Sequence, residues 1–368
     1  MPAIRSIALH RMLVPLIEPF VISLGPIEAV QNLAVCIHTD DGLEGWGECS
    51  PYMTINGESL DTCFVVGQYF AQVLRGRDAS DIAGAVAAMD AVIYGNTSIK
   101  SAFDMALHDI EAQRLKVPLY VLLGGANNKR LETDMTVSIG TPEKMAADAL
   151  RFVQQGFPAI KVKLGQTLEL DVARIRAIRG AIGNEHPLRT DANQGWGNAD
   201  YALQVLQALA PFGIEHCEEP IPRWQFLDLA RLSAASPIPI MADESCGDEH
   251  DAARLIRLNA CGEFNIKLGK TGGVHKALKV VRLAEAGGIT LQVGGFMESR
   301  LGMTAAAHLA LASDAIHYCD FDTPLMFTED PIEGGIRYAA NGVIEVSDAP
   351  GLAARPKAAW LTGSWTAT

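Results

Sequence analysis

Residues 159–164 read AIKVKL, an apolar run that carries two lysines, Lys161 and Lys163. Four more runs of this kind follow: PLRTDAN at 187–193, IEHCEE at 214–219, IPIMADE at 238–244 and FNIKLG at 264–269. They place Asp191, Glu218, Asp243 and Lys267 at or near their ends, and the steps from Lys163 onward are 28, 27, 25 and 24 residues. One strand, one helix and two short loops take about that length of chain. A side chain at the C-terminal end of a parallel barrel strand points into the mouth, where such barrels do chemistry.

The rhythm extends in both directions. Strands are expected near 134–139, 159–164, 187–193, 214–219, 238–244, 263–269, 289–295 and 315–322. Helical periodicity fills the gaps, for example at 142–155, 168–182 and 273–286. Eight evenly spaced strands imply a closed parallel barrel rather than an open doubly wound sheet. The eighth strand runs into TPLMFTEDPIEGG, which is turn-like, so an eighth helix is not expected. The fold class is therefore α/β, a (β/α)7β barrel over 131–325, with a segment 326–368 that returns to the N-terminal part. Residues 1–130 break the rhythm. IRSIALHRMLVPL and AVQNLAVCIHTDDG read as strands, with Asp41-Gly42 as a hairpin signal. Helices follow at 59–75 and 80–93, and another covers SIKSAFDMALHDIEAQRL with Ser98 as its expected N-cap. This part reads as an α+β domain.

Composition narrows the function. The 368 residues are 49% hydrophobic with mean hydropathy +0.14, so a large core can form. No run approaches the ~20 apolar residues of a membrane helix, and MPAIRSIALHRMLV alternates like a strand rather than like a signal peptide. A cytoplasmic protein is expected. Net charge −13 and a pI near 5.1 argue against nucleic acid and anionic membranes as partners. The seven cysteines show no zinc-like spacing and read as buried thiols. His108 reads as structural, and the TGG at 271–273 fits either an anion cradle or a plain helix start.

Strands two and six of an eight-stranded barrel face each other across the mouth. Lys163 and Lys267 therefore oppose one another, with Asp191, Glu218 and Asp243 along one arc between them. Three converging carboxylates repel unless a cation binds, and oxygen-only ligands suit Mg²⁺ before Mn²⁺ or Ca²⁺. A metal on a substrate carboxylate makes the adjacent α-carbon acidic by stabilising an enediolate. One lysine can remove the α-proton from one face and the other return a proton to the opposite face. A base must be neutral, so the metal and neighbouring lysine are expected to lower the lysine pKa. Lys161 shares its side of the strand with Lys163 and is expected to contact the substrate carboxylate.

KVK at 161–163, DANQGW at 191–196, EEP at 218–220, ADES at 242–245 and NIKLGKTGG at 265–273 together resemble the enolase superfamily, in its muconate-lactonizing subgroup. SIKSAFDMALHDIEAQ followed by PLYVLLGG resembles that group's passage from capping domain into barrel. The resemblance implies one Mg²⁺ per subunit, acid/base lysines on both faces, a capping domain that sets side-chain selectivity, and a homo-oligomer. On strand eight, Asp320-Phe321-Asp322 resembles the hallmark of dipeptide epimerases, where it holds the free amino group. The implied activity is two-base epimerisation of the C-terminal α-carbon of a dipeptide. The alternatives are an o-succinylbenzoate synthase-like dehydratase or a muconate cycloisomerase, whose substrates have no ammonium for the DxD pair. Thr136 on strand one and Glu298 after strand seven are further candidate substrate contacts, and Arg300 is a nearby partner for Glu298.

The selectivity loops are expected at 19–25 and 49–59. No Lys or Arg occurs from Met12 to Leu74, so an acidic substrate side chain would find no cation there. Phe20, Ile22, Leu24, Met53 and Ile55 point instead to small or apolar side chains. A barrel residue such as Arg300 is the one expected source of a missing cation.

Overall fold

The computed structural model describes residues 2–368. Eight short parallel strands pair in chain order: Met135–Val137, Ile160–Lys163, Leu188–Asp191, Cys217–Glu218, Ile240–Ala242, Glu263–Lys267, Thr290–Gly294 and Ile316–Cys319. Each lies inside a segment read as a strand. The sheet curls until its ends meet, where Thr133 bridges Cys319 and the Phe321 N–H donates to Thr133 Oγ1 at 2.8 Å. Seven helical crossovers join the strands, from Pro142–Gln154 to Arg300–Ala310, and the sixth has a short extra helix, Leu268–Thr271, before its main one. Their starts follow ordinary capping chemistry. Thr141 caps the first of them with Pro142 behind it, and Thr167 and Asn198 cap the next two. The eighth strand is followed by a 3₁₀ turn, Thr323–Met326, in place of an eighth crossover helix.

A four-stranded antiparallel sheet lies at the other end of the chain, in the order Thr362–Ala367, Ile4–Ile22, Gly25–Thr39, Glu44–Cys49. The C-terminal strand thus pairs with the first one. Three helices, Leu60–Leu74, Ile82–Val92 and Thr97–Leu115, pack on the sheet and share a core of their own, including Ile7, Leu9, Leu33, Phe70 and Phe103. The larger core surrounds the barrel. No helix among the described residues is long and apolar enough to cross a membrane.

Two local readings differ from expectation, and a third, open on sequence alone, is decided. PFVISLG is not a loop. Its alternation continues the first strand to Ile22, and Phe20 and Ile22 pair with Ile27 and Gly25 across a hairpin tip. Gly25, at φ +122, supplies the turn that other residues would resist. Ser98 is not an N-cap. The helix starts at Thr97, and Glu58 caps it from outside, accepting from the N–H groups of Ser98 at 3.0 Å and Ile99 at 3.3 Å. The TGG segment does cradle an anion, and this chain provides it. Asp104 Oδ2 accepts from the Val274 N–H at 2.5 Å, and a Cβ on Gly273 would lie 2.4 Å from the same carboxylate. Asp104 thereby fastens the capping helix to the barrel helix Val274–Gly287. Glu48 does the same for Arg300–Ala310, accepting from the N–H groups of Ser299 and Gly302. A carboxylate at a helix N-terminus satisfies orphan donors and complements the helix dipole.

Candidate active site

Strand register sets the height of each side chain. Lys163 pairs with Asp191 and Asp191 with Glu218, so these three share one level at the strand ends. Asp243 and Lys267 project from the next two strand ends. All five are buried. One oxygen each from Asp191, Glu218 and Asp243 lies within 4.8 Å of the others. The Lys163 ammonium donates to Asp191 Oδ2 at 2.6 Å, and that of Lys267 to Asp243 Oδ2 at 2.6 Å. Lys161 lies between them, 2.7 Å from Glu218 Oε2, 2.7 Å from Asp320 Oδ2 and 3.5 Å from Asp191 Oδ2. The structure thus brings together every lysine and carboxylate that the strand spacing nominated.

The electrostatics are those of a tight ionic cluster. Burial and Asp191 would raise the Glu218 carboxyl, but Lys161 and Lys267 outweigh them and pull it to about 2. Burial alone would lower the Lys267 ammonium, yet Asp243 and Glu218 hold it above the ordinary lysine value. Lys161 is likewise held up, burial notwithstanding, by Asp320, Glu218 and Asp191. The expected lowering of the base lysines therefore depends on the positive charge of a bound metal. Carboxylates facing each ammonium favour its charged form, and only added positive charge at the site reverses that balance. The donor set fits such a charge: three buried carboxylates, with the buried Asn193 Oδ1 and Glu244 Oε2 close by and without hydrogen-bond partners. Hard oxygen donors without Cys or His suit Mg²⁺.

The two lysines sit against opposite walls. Lys163 Nζ lies 5.9 Å from the Phe20 ring of the first hairpin, and Lys267 Nζ lies 5.2 Å from the ring of Phe296. Phe296 in turn packs on Tyr52 of the second capping loop, ring centroids 5.7 Å apart. Asp322 is buried beside Asp320 and Asp134. Burial, Asp320 and Asp134 all push its carboxyl well above the usual range, and Oδ2 accepts the Thr136 N–H at 2.6 Å. Asp320 is pulled to about 2, against burial, chiefly by Lys161 and Lys163. Glu298 is buried and does not pair with Arg300. Its carboxylate accepts from the Phe296 N–H, and burial with Glu48 nearby raises it to about 8. Arg300 turns away to Asp330 at 2.6 Å and to the carbonyls of Ile332, Gly334 and Ile336.

The selectivity residues divide. Leu24 and Met53 line a cavity of about 580 Å³ between the hairpin and the second loop, with Val30, Tyr52 and Met297. Phe20 and Thr136 line a separate one of about 300 Å³. Ile22 and Ile55 are buried packing, and Met53 is 73% exposed. The cation that reaches these loops is Arg223, whose guanidinium donates to the Ile55 carbonyl. Sequence reading missed Arg223. It also missed Lys270, Asn265 and Glu219, which hold the metal-facing acids in place. Asn265 lies two residues before Lys267 on one strand and so shares its inward face, a signal that was available. Glu219 accepts from the N–H groups of Asp243 and Ser245 at 2.7 and 3.1 Å, and nothing in its sequence position announces that.

A capped parallel barrel whose strand ends present two opposed lysines and three carboxylates is an enolase-type enzyme. Residues 144–360 match the enolase C-terminal domain-like family, and residues 5–124 match the mandelate racemase / muconate lactonizing enzyme N-terminal domain. This chain therefore belongs to the mandelate racemase / muconate lactonizing group of that superfamily. It is 52% identical to a D-Ala-D/L-Ala epimerase of Cytophaga hutchinsonii, covering 98% of both chains. It is 39% identical to an L-Ala-D/L-Glu epimerase of Clostridium acetobutylicum, over 95% of this chain and 98% of the other. A dipeptide epimerase from Cytophaga hutchinsonii, solved with Mg and D-Ala-L-Val, superposes with a TM-score of 0.97 at 52% identity, covering 99% of each chain.

Proposed function

We propose that this protein is an Mg²⁺-dependent dipeptide epimerase that inverts the α-carbon of the C-terminal residue. The opposition of Lys163 and Lys267 across one carboxylate triad carries this reading. Asp191, Glu218 and Asp243 would hold the metal. When bound, Mg²⁺ supplies positive charge that acidifies the carbon next to the substrate carboxylate and favours neutral lysines around it. Lys163 takes or returns the α-proton on one face and Lys267 on the other, which inverts the centre. Lys161, pinned by Glu218 and Asp320, stays cationic and binds the substrate carboxylate. The aromatic rings of Phe20 and Phe296 shield the two lysines from water. A cytoplasmic setting and a homo-oligomeric assembly belong to the same proposal, and seven free, buried cysteines fit the first.

Asp320 and Asp322 bind the substrate ammonium. A peptide acetylated at its N-terminus presents no such charge, so Asp320 keeps Lys161 alone and Asp322 gains no cation. N-acetyl-Ala-Ala is therefore expected to react at least about 100-fold more slowly in kcat/KM than Ala-Ala, the loss of the ammonium's charge-assisted hydrogen bonds. Equal rates would remove the DxD pair from amine recognition and favour the dehydratase reading.

The side chain at the inverted carbon is small or apolar. The capping loops contain no Lys or Arg, and the Arg223 guanidinium is turned onto a backbone carbonyl. Alanine dipeptides are expected to exceed Ala-Glu in kcat/KM. Neighbouring apolar residues should overlap, because a methylene changes binding by only ~1–3 kcal/mol. A clear preference for Ala-Glu would show that Arg223 turns into the pocket and would overturn this selectivity.

A further inference from the structure

The three metal-facing carboxylates share a pattern: one oxygen of each bonds to a fixed donor, and the other carries a lysine. Asp191 Oδ1 accepts the Asn193 N–H at 2.8 Å, while Oδ2 carries Lys163. Glu218 Oε1 accepts Asn265 Nδ2 at 2.8 Å, while Oε2 carries Lys161 and, more loosely at 3.3 Å, Gln292 Nε2. Asp243 Oδ1 accepts Lys270 Nζ at 2.5 Å, while Oδ2 carries Lys267. Lys270 differs from its neighbours on the barrel. Its three N–H donors meet Asp243 Oδ1, the Asp243 carbonyl and, at 2.8 Å, the Asn265 carbonyl, and it is buried. An ammonium has three donors, so Lys270 is saturated and fixed. Lys163 and Lys267 each hold a single carboxylate partner at 2.6 Å among the described residues and are free to exchange it.

We propose that Lys270, with Asn265 and the Asn193 N–H, withholds one oxygen of each carboxylate, so that the site takes one oxygen per acid and selects Mg²⁺ over Ca²⁺. The inference rests on the metal reading given above. Mg²⁺ takes six oxygens in a tight octahedron and keeps open positions for water or substrate. Ca²⁺ prefers more oxygens at longer distances and gains from bidentate carboxylates. A carboxylate held by one oxygen is fixed with its other oxygen toward the ion, and it reaches a bidentate arrangement only by rotating against that donor. In this account Lys270 is a positioning residue that acts through Asp243.

The test is calorimetric titration of the full-length protein with MgCl₂ and with CaCl₂. Lys270→Met removes the clamp on Asp243, and Asn265→Leu removes that on Glu218. In each, the Mg²⁺/Ca²⁺ affinity ratio is expected to fall at least about tenfold from wild type, because bidentate binding opens to Ca²⁺. Loss of one buried positive charge raises the affinity for both dications alike and leaves the ratio unchanged, so the ratio separates positioning from simple electrostatics. A ratio unchanged in both variants overturns the proposal, and agreement of the two guards against Lys270→Met failing to fold. Wild-type protein that binds neither ion would refute the metal reading itself, a distinct result.

Discussion

Lys267→Ala is expected to lose interconversion of the two epimers by at least about 10³-fold in kcat, the range for removing a positioned acid/base group. Lys163→Ala should lose as much. The two variants should differ in what remains. Each keeps one lysine on one face of the α-carbon, so in D₂O each should still wash deuterium into a single epimer, and the two should choose opposite epimers. Proton NMR of the α-position, followed from both epimers, reads this directly. Near-normal epimerisation by Lys267→Ala would eliminate the two-base scheme. Equal wash-in of both epimers by one variant would eliminate the assignment of faces.

Dialysis against EDTA is expected to abolish activity, with Mg²⁺ restoring it. Glu218→Gln should not be restored at ordinary Mg²⁺ concentrations. Glu218 is the middle carboxylate of the three, and it faces the Lys161 ammonium at 2.7 Å. Its neutral isostere removes one ionised ligand and leaves a buried cation short of a partner, at a cost of roughly 3–5 kcal/mol for a broken buried pair. Calorimetry should show Mg²⁺ affinity falling together with activity. Full activity after exhaustive EDTA treatment would refute metal dependence.

The barrel and its chemistry were legible because both obey short-range rules. A parallel strand buries both faces and reads as an apolar run, and its last inward residue falls where the run ends. Lys163, Asp191, Glu218, Asp243 and Lys267 all sit at such ends. What was not legible depends on contacts between distant segments. Ser98 looked like a cap because its local sequence allows one, whereas Glu58 arrives from 40 residues away. The TGG looked open to a foreign anion, and Asp104 fills it from the other domain. Arg300 was a plausible partner for Glu298 at two residues' distance, but the carbonyls of the C-terminal segment claim it. Lys270 follows Lys267 by three residues in a short helical turn, Leu268–Thr271, and its burial against Asp243 could not be read from that spacing.

The central claim is that this barrel inverts a dipeptide through opposed lysines. Ala-Ala dipeptides, each single diastereomer in turn, are incubated with the Mg²⁺-loaded protein in D₂O and followed by NMR and mass spectrometry. The account predicts both epimers at the C-terminal residue, a mass gain of about one unit from α-deuterium, and no alkene, as proton transfer to the opposite face requires. No exchange with any alanine dipeptide, or elimination to an unsaturated product from a hydroxy acid in its place, would contradict it.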